Sequence, residues 1–200
     1  MILGYGTNGF AHHSLEDALS ILADIGYRSI AITLDRHHLN PLDDDWPARA
    51  AQVKKELHRW GLRNTVETGG RYTLDTRRKH QPTMISGASA DRDRRIEFLC
   101  RAIDVSMELE SDCISLWSGA ADDDAEHEVV FDRLLESLQA VLAHAEIHDV
   151  PVAFEPEPGM FIERMDQFDR LYQAVDHPLF GLTLDVGHVH CLADGDLLSH

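Results

Sequence analysis

At 200 residues, with 44% hydrophobic and 26% charged side chains, the chain can build one domain with a substantial core. Thirty-five acidic against 18 basic residues give a net charge of −17, a field that repels phosphate backbones and anionic lipid, so neither nucleic acid nor a membrane surface is an expected partner. No apolar run approaches the roughly 18–20 residues that span a bilayer. The opening residues lack the basic start and long apolar stretch of a secretory signal. The three cysteines form no CxxC pair and leave an odd thiol, which fits a reducing cytoplasm.

Residues 2–6 read as a short strand running into Thr7-Asn8-Gly9. Ser14 is a candidate N-cap, with Asp17 three residues on, for a helix whose Leu15, Ala18, Leu19 and Leu22 share one face and which Gly26 ends. The near-continuous apolar run at residues 29–34 suits a strand buried on both faces. A helix is predicted over Trp46–Trp60, with Pro47 in the tolerated first turn and Gly61 as its stop. A third strand follows at residues 63–68. Residues 69–90 are irregular and too long for an ordinary connection, so they are expected to be either disordered or functional.

Beyond that loop, Ile96, Leu99, Cys100, Ile103 and Met107 mark one face of a long helix, and residues 112–117 form a fourth strand. Phe131, Leu134, Leu135, Leu138, Val141, Leu142 and Ala145 mark the next helix. A fifth strand at residues 151–155 begins with Pro151, and a helix over Met165–Val175 leads to a sixth at residues 181–185. The alternation predicts a parallel α/β protein. An open doubly wound sheet and an eight-unit (β/α)8 TIM barrel both use such units. No Walker loop supports the nucleotide-binding open sheet. At about 35 residues per unit, eight units need about 270–290 residues. The expectation is therefore a single TIM-barrel domain over residues 1–200 with about six βα units, lacking its last two, and a sixth helix that should begin near Cys191.

Ligands in such folds bind where strands end. Those ends carry Asn8, then Asp35 with His37 and His38, then Glu67, Trp117, Glu155 with Glu157, and Asp185 with His188. Glu155 closes the apolar run PVAF and Asp185 closes GLTL, so both carboxylates sit on rigid elements. Two converging carboxylates repel, and a divalent cation is the usual remedy. Such a donor set suits Mn²⁺, Mg²⁺, Co²⁺ or Zn²⁺ without choosing among them. The bland alternative is that both acids cap the helices that follow. In the long loop, Arg71 and the run Arg77, Arg78, Lys79 and His80 concentrate basic charge, which either holds an anionic substrate group or is simply solvated. Trp117 either stacks on a sugar ring or packs beneath a loop, and His37 and His38 are expected to be ordinary loop residues.

FEPEPG (residues 154–159) and LDVGH (residues 184–188), about 30 residues apart, resemble the xylose-isomerase-like TIM-barrel superfamily. That group includes sugar-phosphate isomerases and epimerases, ketose 3-epimerases, inosose dehydratases, hydroxypyruvate isomerases and metal-dependent AP endonucleases. The resemblance implies that Glu155 and Asp185 are metal ligands and that Glu155 is the catalytic base. It makes His188 a substrate contact in the epimerases or a ligand in the multi-metal members. It also implies a histidine from a seventh strand and a glutamate from an eighth, neither within residues 1–200. The endonucleases place extra histidines at strand ends where this chain has Glu67 and Trp117, which argues against DNA repair.

The resulting expectation is a divalent-metal-dependent isomerase or epimerase of a small sugar, sugar phosphate or related polyhydroxy carbonyl compound. It would work by proton transfer through a metal-stabilised enediolate, with Trp117, Glu67, Glu157, Asn8, Arg78, His80 and His188 at the substrate. The alternatives are a metal-dependent dehydratase of a cyclic polyol and a non-catalytic barrel binding a metabolite or partner. Exposed edge strands would also be compatible with a homo-oligomer.

Overall fold

The structure, a computed structural model, describes residues 1–192. Six strands, β1 (Gly4–Gly6), β2 (Ser29–Thr33), β3 (Arg63–Glu67), β4 (Ile114–Leu116), β5 (Val152–Phe154) and β6 (Phe180–Leu182), form one all-parallel sheet. Their spatial order is their order in the chain. A doubly wound sheet reverses its strand order at a switch point, whereas a barrel adds each strand to the same side. The sequential order here is that of a barrel wall.

The helices are α1 (Leu15–Ile25), α2 (Trp46–Trp60), α3 (Ser89–Glu108), α4 (His127–His148), α5 (Met165–Val175) and α6 (Val186–Leu192), with a 3₁₀ turn at Thr7–Phe10. Local chemistry fixes several of their ends. The Ser14 hydroxyl accepts from Asp17 N and donates to the Asp17 carboxylate, capping α1. Gly26, at φ 110°, closes that helix in a left-handed turn that a side chain would strain. In α5, Gln167 reaches back to accept from the backbone N–H groups of Glu163 and Arg164. The helices cover the sheet with one continuous apolar core in which Leu19, Ile30, Ile32, Val66, Phe98, Ile114, Leu138 and Phe154 are fully buried.

The sheet register sets up the site. Thr33 pairs with Glu67, and Glu67 with Ser115, which places three polar residues in one row across β2, β3 and β4. The row continues through Ala153 and Gly181, two small residues that leave room in front of it.

Three expectations are corrected. Strand pairing in β6 stops at Leu182, so Asp185 stands beyond the strand, on the turn into α6. The sixth helix begins at Val186 and not near Cys191. Of the two alternatives left open for the long loop, disorder is set aside: Met84 and Ile85 reach the core, and the Thr83 and Ser86 side chains are buried beside them. The expected face of α3 is also displaced, because α3 packs against both α2 and α4 and buries a broader arc. Met107 is exposed, while Arg95, Phe98, Ala102 and Val105 are buried.

Candidate active site

The carboxyl ends of the strands and the long loop enclose a cavity of about 340 Å³. Asn8, Glu67, Trp117, Glu155, Glu157, Asp185 and His80 all line it, joined by Arg71, Lys79, Thr33 and Ser115. Together they come from the ends of all six strands and from the loop, so the fold alone brings them together.

Glu155, Asp185 and His188 converge most closely. One ligating atom from each lies within 4.8 Å of the others. His188 Nδ1 is 3.5 Å from Glu155 Oε1, and His188 Nε2 is 3.5 Å from Asp185 Oδ2. The imidazole thus stands between two carboxylates while its buried Nδ1 makes no hydrogen bond. The two oxygens of Asp185 divide the work. Oδ1 accepts from the backbone N–H groups of Gly187 and His188 and caps α6, and Oδ2 faces the imidazole. The capping alternative therefore holds for one oxygen of Asp185 without removing the other from the cluster.

The electrostatics are unbalanced toward negative charge. Burial pushes the Glu155 carboxyl up to about 7, and the neighbouring Glu157, Asp185 and Glu67 charges add to the rise while His188 opposes it. Glu157 is raised as well, chiefly by burial. Crowded carboxylates with an imidazole whose Nδ1 makes no hydrogen bond are the donor set that a divalent cation satisfies.

The opposite wall is built on Trp117, which is only 6% exposed. His80 meets its ring edge-on at 5.3 Å, and the Arg95 guanidinium lies over it at 4.8 Å. The indole is therefore largely packed beneath the loop, with little of its face open for stacking. The Gly69 carbonyl accepts from His80 Nδ1, leaving Nε2 as an acceptor. Burial pushes the His80 pKa down, which favours this neutral form. Glu67 is held by the Thr33 hydroxyl at 3.0 Å.

Of the expected substrate residues, His188 and Arg78 are absent from the cavity lining: His188 meets it through Glu155 and Asp185, and Arg78 is turned away. Asp75 accepts from the backbone N–H groups of Arg77 and Arg78 in a tight turn, and its second oxygen takes the Arg78 guanidinium at 2.8 Å. The same guanidinium approaches Asp122 at 3.9 Å. Captured by this acidic pair, it does not line the cavity; Lys79 and Arg71 do. His37 and His38 also lie outside the cavity lining, with their backbone N–H groups on Asp35 Oδ1.

Sequence reasoning missed Arg95. It is 2% exposed, packs over both Phe98 and Trp117, and donates to the Thr68 carbonyl. Its only trace in the sequence is its spacing, three and four residues before Phe98 and Leu99, which puts it on their face of α3.

Residues 19–200 match the family described as the xylose isomerase-like TIM barrel. The chain belongs to that family. Solved structures share the fold at low identity. A D-psicose 3-epimerase with D-tagatose, from Clostridium cellulolyticum, superposes with a TM-score of 0.75 at 16% identity, over 98% of this chain and 67% of its own. An IolI protein with a bound zinc atom gives 0.72 at 13%, over 98% and 66%. A family 2 AP endonuclease from Brucella melitensis gives 0.76 at 17%, over 100% and 74%. The chain spans 63–74% of the length of such solved structures. No curated protein matches it by sequence.

Proposed function

We propose that this xylose isomerase-like barrel is an isomerase or epimerase of a small polyhydroxy carbonyl compound and depends on a divalent metal. The observation that carries the reading is the convergence of Glu155, Asp185 and His188, the two carboxylates of which line a polar cavity. Glu155 and Asp185 are the residues that would hold the ion, with His188 between them. An unpartnered imidazole nitrogen among acidic oxygens fits Mn²⁺, Mg²⁺, Co²⁺ or Zn²⁺. A divalent ion in that position supplies the positive charge that acidifies a C–H beside a carbonyl and stabilises the enediolate left when the proton is gone.

The protein's own part follows from its side chains. Glu155, lining the cavity beside the position an ion would take, is placed to take a proton from carbon and return it. Glu67, Glu157, Asn8 and neutral His80 offer acceptors and donors for substrate hydroxyls around the cavity. Lys79 and Arg71 offset part of the acidic charge on the loop side. A volume of about 340 Å³ is at the small end of ligand sites, the scale of a monosaccharide. Three free cysteines support a cytoplasmic setting. The −17 charge weighs against a DNA substrate.

The test is proton NMR in D₂O with a panel of ketoses and ketose phosphates and protein loaded with Mn²⁺ or Co²⁺. Deuterium entering a carbon-bound position of one substrate, with no water lost, is the expected result. Loss of water from a cyclic polyol would move the assignment to a dehydratase. No exchange with any member of the panel would remove the isomerase reading.

A further inference from the structure

A second cluster of metal-ligating side chains lies outside the cavity, between α3 and α4. His144 and His148 are four residues apart on α4 and so share one helical face, the spacing at which two imidazoles can bind one ion. Asp104 faces them from α3. His144 Nε2 is 2.7 Å from Asp104 Oδ1, and His148 Nε2 is 3.5 Å from the same oxygen. The two rings lie 4.9 Å apart. Both imidazoles thus aim the same nitrogen at one carboxylate oxygen, and all three ligating atoms lie within 4.8 Å of one another. One hydrogen bond accounts for His144, but His148 at 3.5 Å is too far for a good one.

The geometry points to a second metal site, in which Asp104, His144 and His148 take a zinc-like transition-metal ion and clamp α3 to α4. Tetrahedral bonds of about 2.0–2.1 Å place neighbouring ligand atoms about 3.4 Å apart. The His148–Asp104 separation already has that value, and the His144–Asp104 contact reaches it by opening about 0.7 Å, within the range of a side-chain rotation. The three side chains are 25–30% exposed, so an ion reaches them without unfolding, and water completes the shell. Two imidazoles and a carboxylate select Zn²⁺, Co²⁺, Ni²⁺ or Cu²⁺ over Mg²⁺ and Ca²⁺. Two fields favour the cation: the net charge of −17, and the carbonyl end of α4, where His148 is the last residue.

The position also indicates the role. Each helix of this fold runs back from the end of its strand, so the final turns of α3 and α4 lie at the end of the barrel wall where strands begin. That is the side opposite the cavity, where structure serves stability and not chemistry. The ion would therefore be structural.

The experiment must keep the two clusters apart. Metal-stripped Glu155→Gln/Asp185→Asn protein, in which the cavity cluster is disabled, is titrated with Zn²⁺ by calorimetry and followed by thermal melting. One equivalent of bound zinc and a raised Tm are expected. Adding His144→Ala or His148→Ala should weaken that binding by more than about tenfold and abolish the Tm shift, while leaving the zinc-free Tm close to the parent. Mg²⁺ should give neither signal. Absence of micromolar zinc binding in the cavity-disabled protein would overturn the proposal. So would zinc binding that persists when both histidines are replaced.

Discussion

Replacing Glu155 with glutamine removes an ionisation that the fold opposes. The carboxyl has an ordinary value of 4.5 and is pushed to about 7 in the folded chain, first by burial and then by Glu157. Between those two pH values the folded protein holds a proton that the unfolded chain has released. Because stability changes with pH in proportion to protons bound unfolded minus folded, the slope is negative there. The metal-free protein therefore loses stability as pH rises from about 4.5 to about 7, and is flat in this contribution outside that window. At 1.36 kcal/mol per pH unit the rise corresponds to roughly 3 kcal/mol. The side chain retains 23% exposure, and solvent screening reduces the figure to about 2 kcal/mol. Glu155→Gln should cancel this loss. Urea denaturation in chelator, for both proteins at pH 5 and pH 8, is the assay. The variant's stability relative to wild type should be about 2 kcal/mol more favourable at pH 8 than at pH 5. In melting curves that is about 4–8 °C. Using the difference between two pH values cancels whatever the substitution does by shape alone. An equal effect at both pH values would refute the account of a carboxyl raised by burial and crowding. Saturating Mn²⁺ should then stabilise wild type more than the variant, since the ion supplies the charge the site lacks.

Asp185→Asn should lose the bound divalent ion and with it nearly all turnover, read by elemental mass spectrometry beside a kinetic assay; near-normal activity would exclude Asp185 as a ligand. The same change should leave α6 in place, because an asparagine oxygen still caps the Gly187 and His188 N–H groups, and circular dichroism would register its loss. Arg95→Ala should destabilise the protein by about 3 kcal/mol in urea, since it opens a cavity beneath Trp117 and leaves the Thr68 carbonyl unpaired. Gly119→Ala should cost more than about 2 kcal/mol. Gly119 has φ of 79°, and an added Cβ would meet Thr83 Cγ2 at 2.3 Å and the Trp117 ring at 2.8 Å. Tryptophan fluorescence and a raised KM would accompany the stability loss, because the ring forms part of the cavity wall. Arg78→Ala, by contrast, should leave KM within about twofold of wild type, as expected for a surface pair with Asp75.

Much of the fold was legible because its signals are local. Trp46–Trp60 and Met165–Val175 are helices over the expected bounds, and Pro47 and Gly61 bracket the first of them. Strand ends were legible in composition and not in pairing. The apolar run before Asp185 reads as strand to its end, yet pairing stops at Leu182 and Asp185 turns to cap α6. Hydrophobicity reports burial, while the end of a ladder depends on where the neighbouring strand stops. The face of α3 was misplaced for a related reason: its neighbours α2 and α4 decide how wide an arc it buries.

By itself, the sequence determined the alternation of strands and helices and the polar residue at each strand end, because periodicity and capping act within a few residues of the chain. Only the tertiary structure decided that Thr33, Glu67 and Ser115 share one row, since that is a property of register between strands. It alone decided that Asp75 pulls Arg78 away while Lys79 faces the cavity, and that Arg95 supports Trp117 from beneath. Asp104 likewise meets His144 and His148 across 40 and more residues, and no local pattern carries a contact of that range. Side-chain chemistry is written residue by residue, whereas the direction each group faces is set by packing between elements distant in the chain.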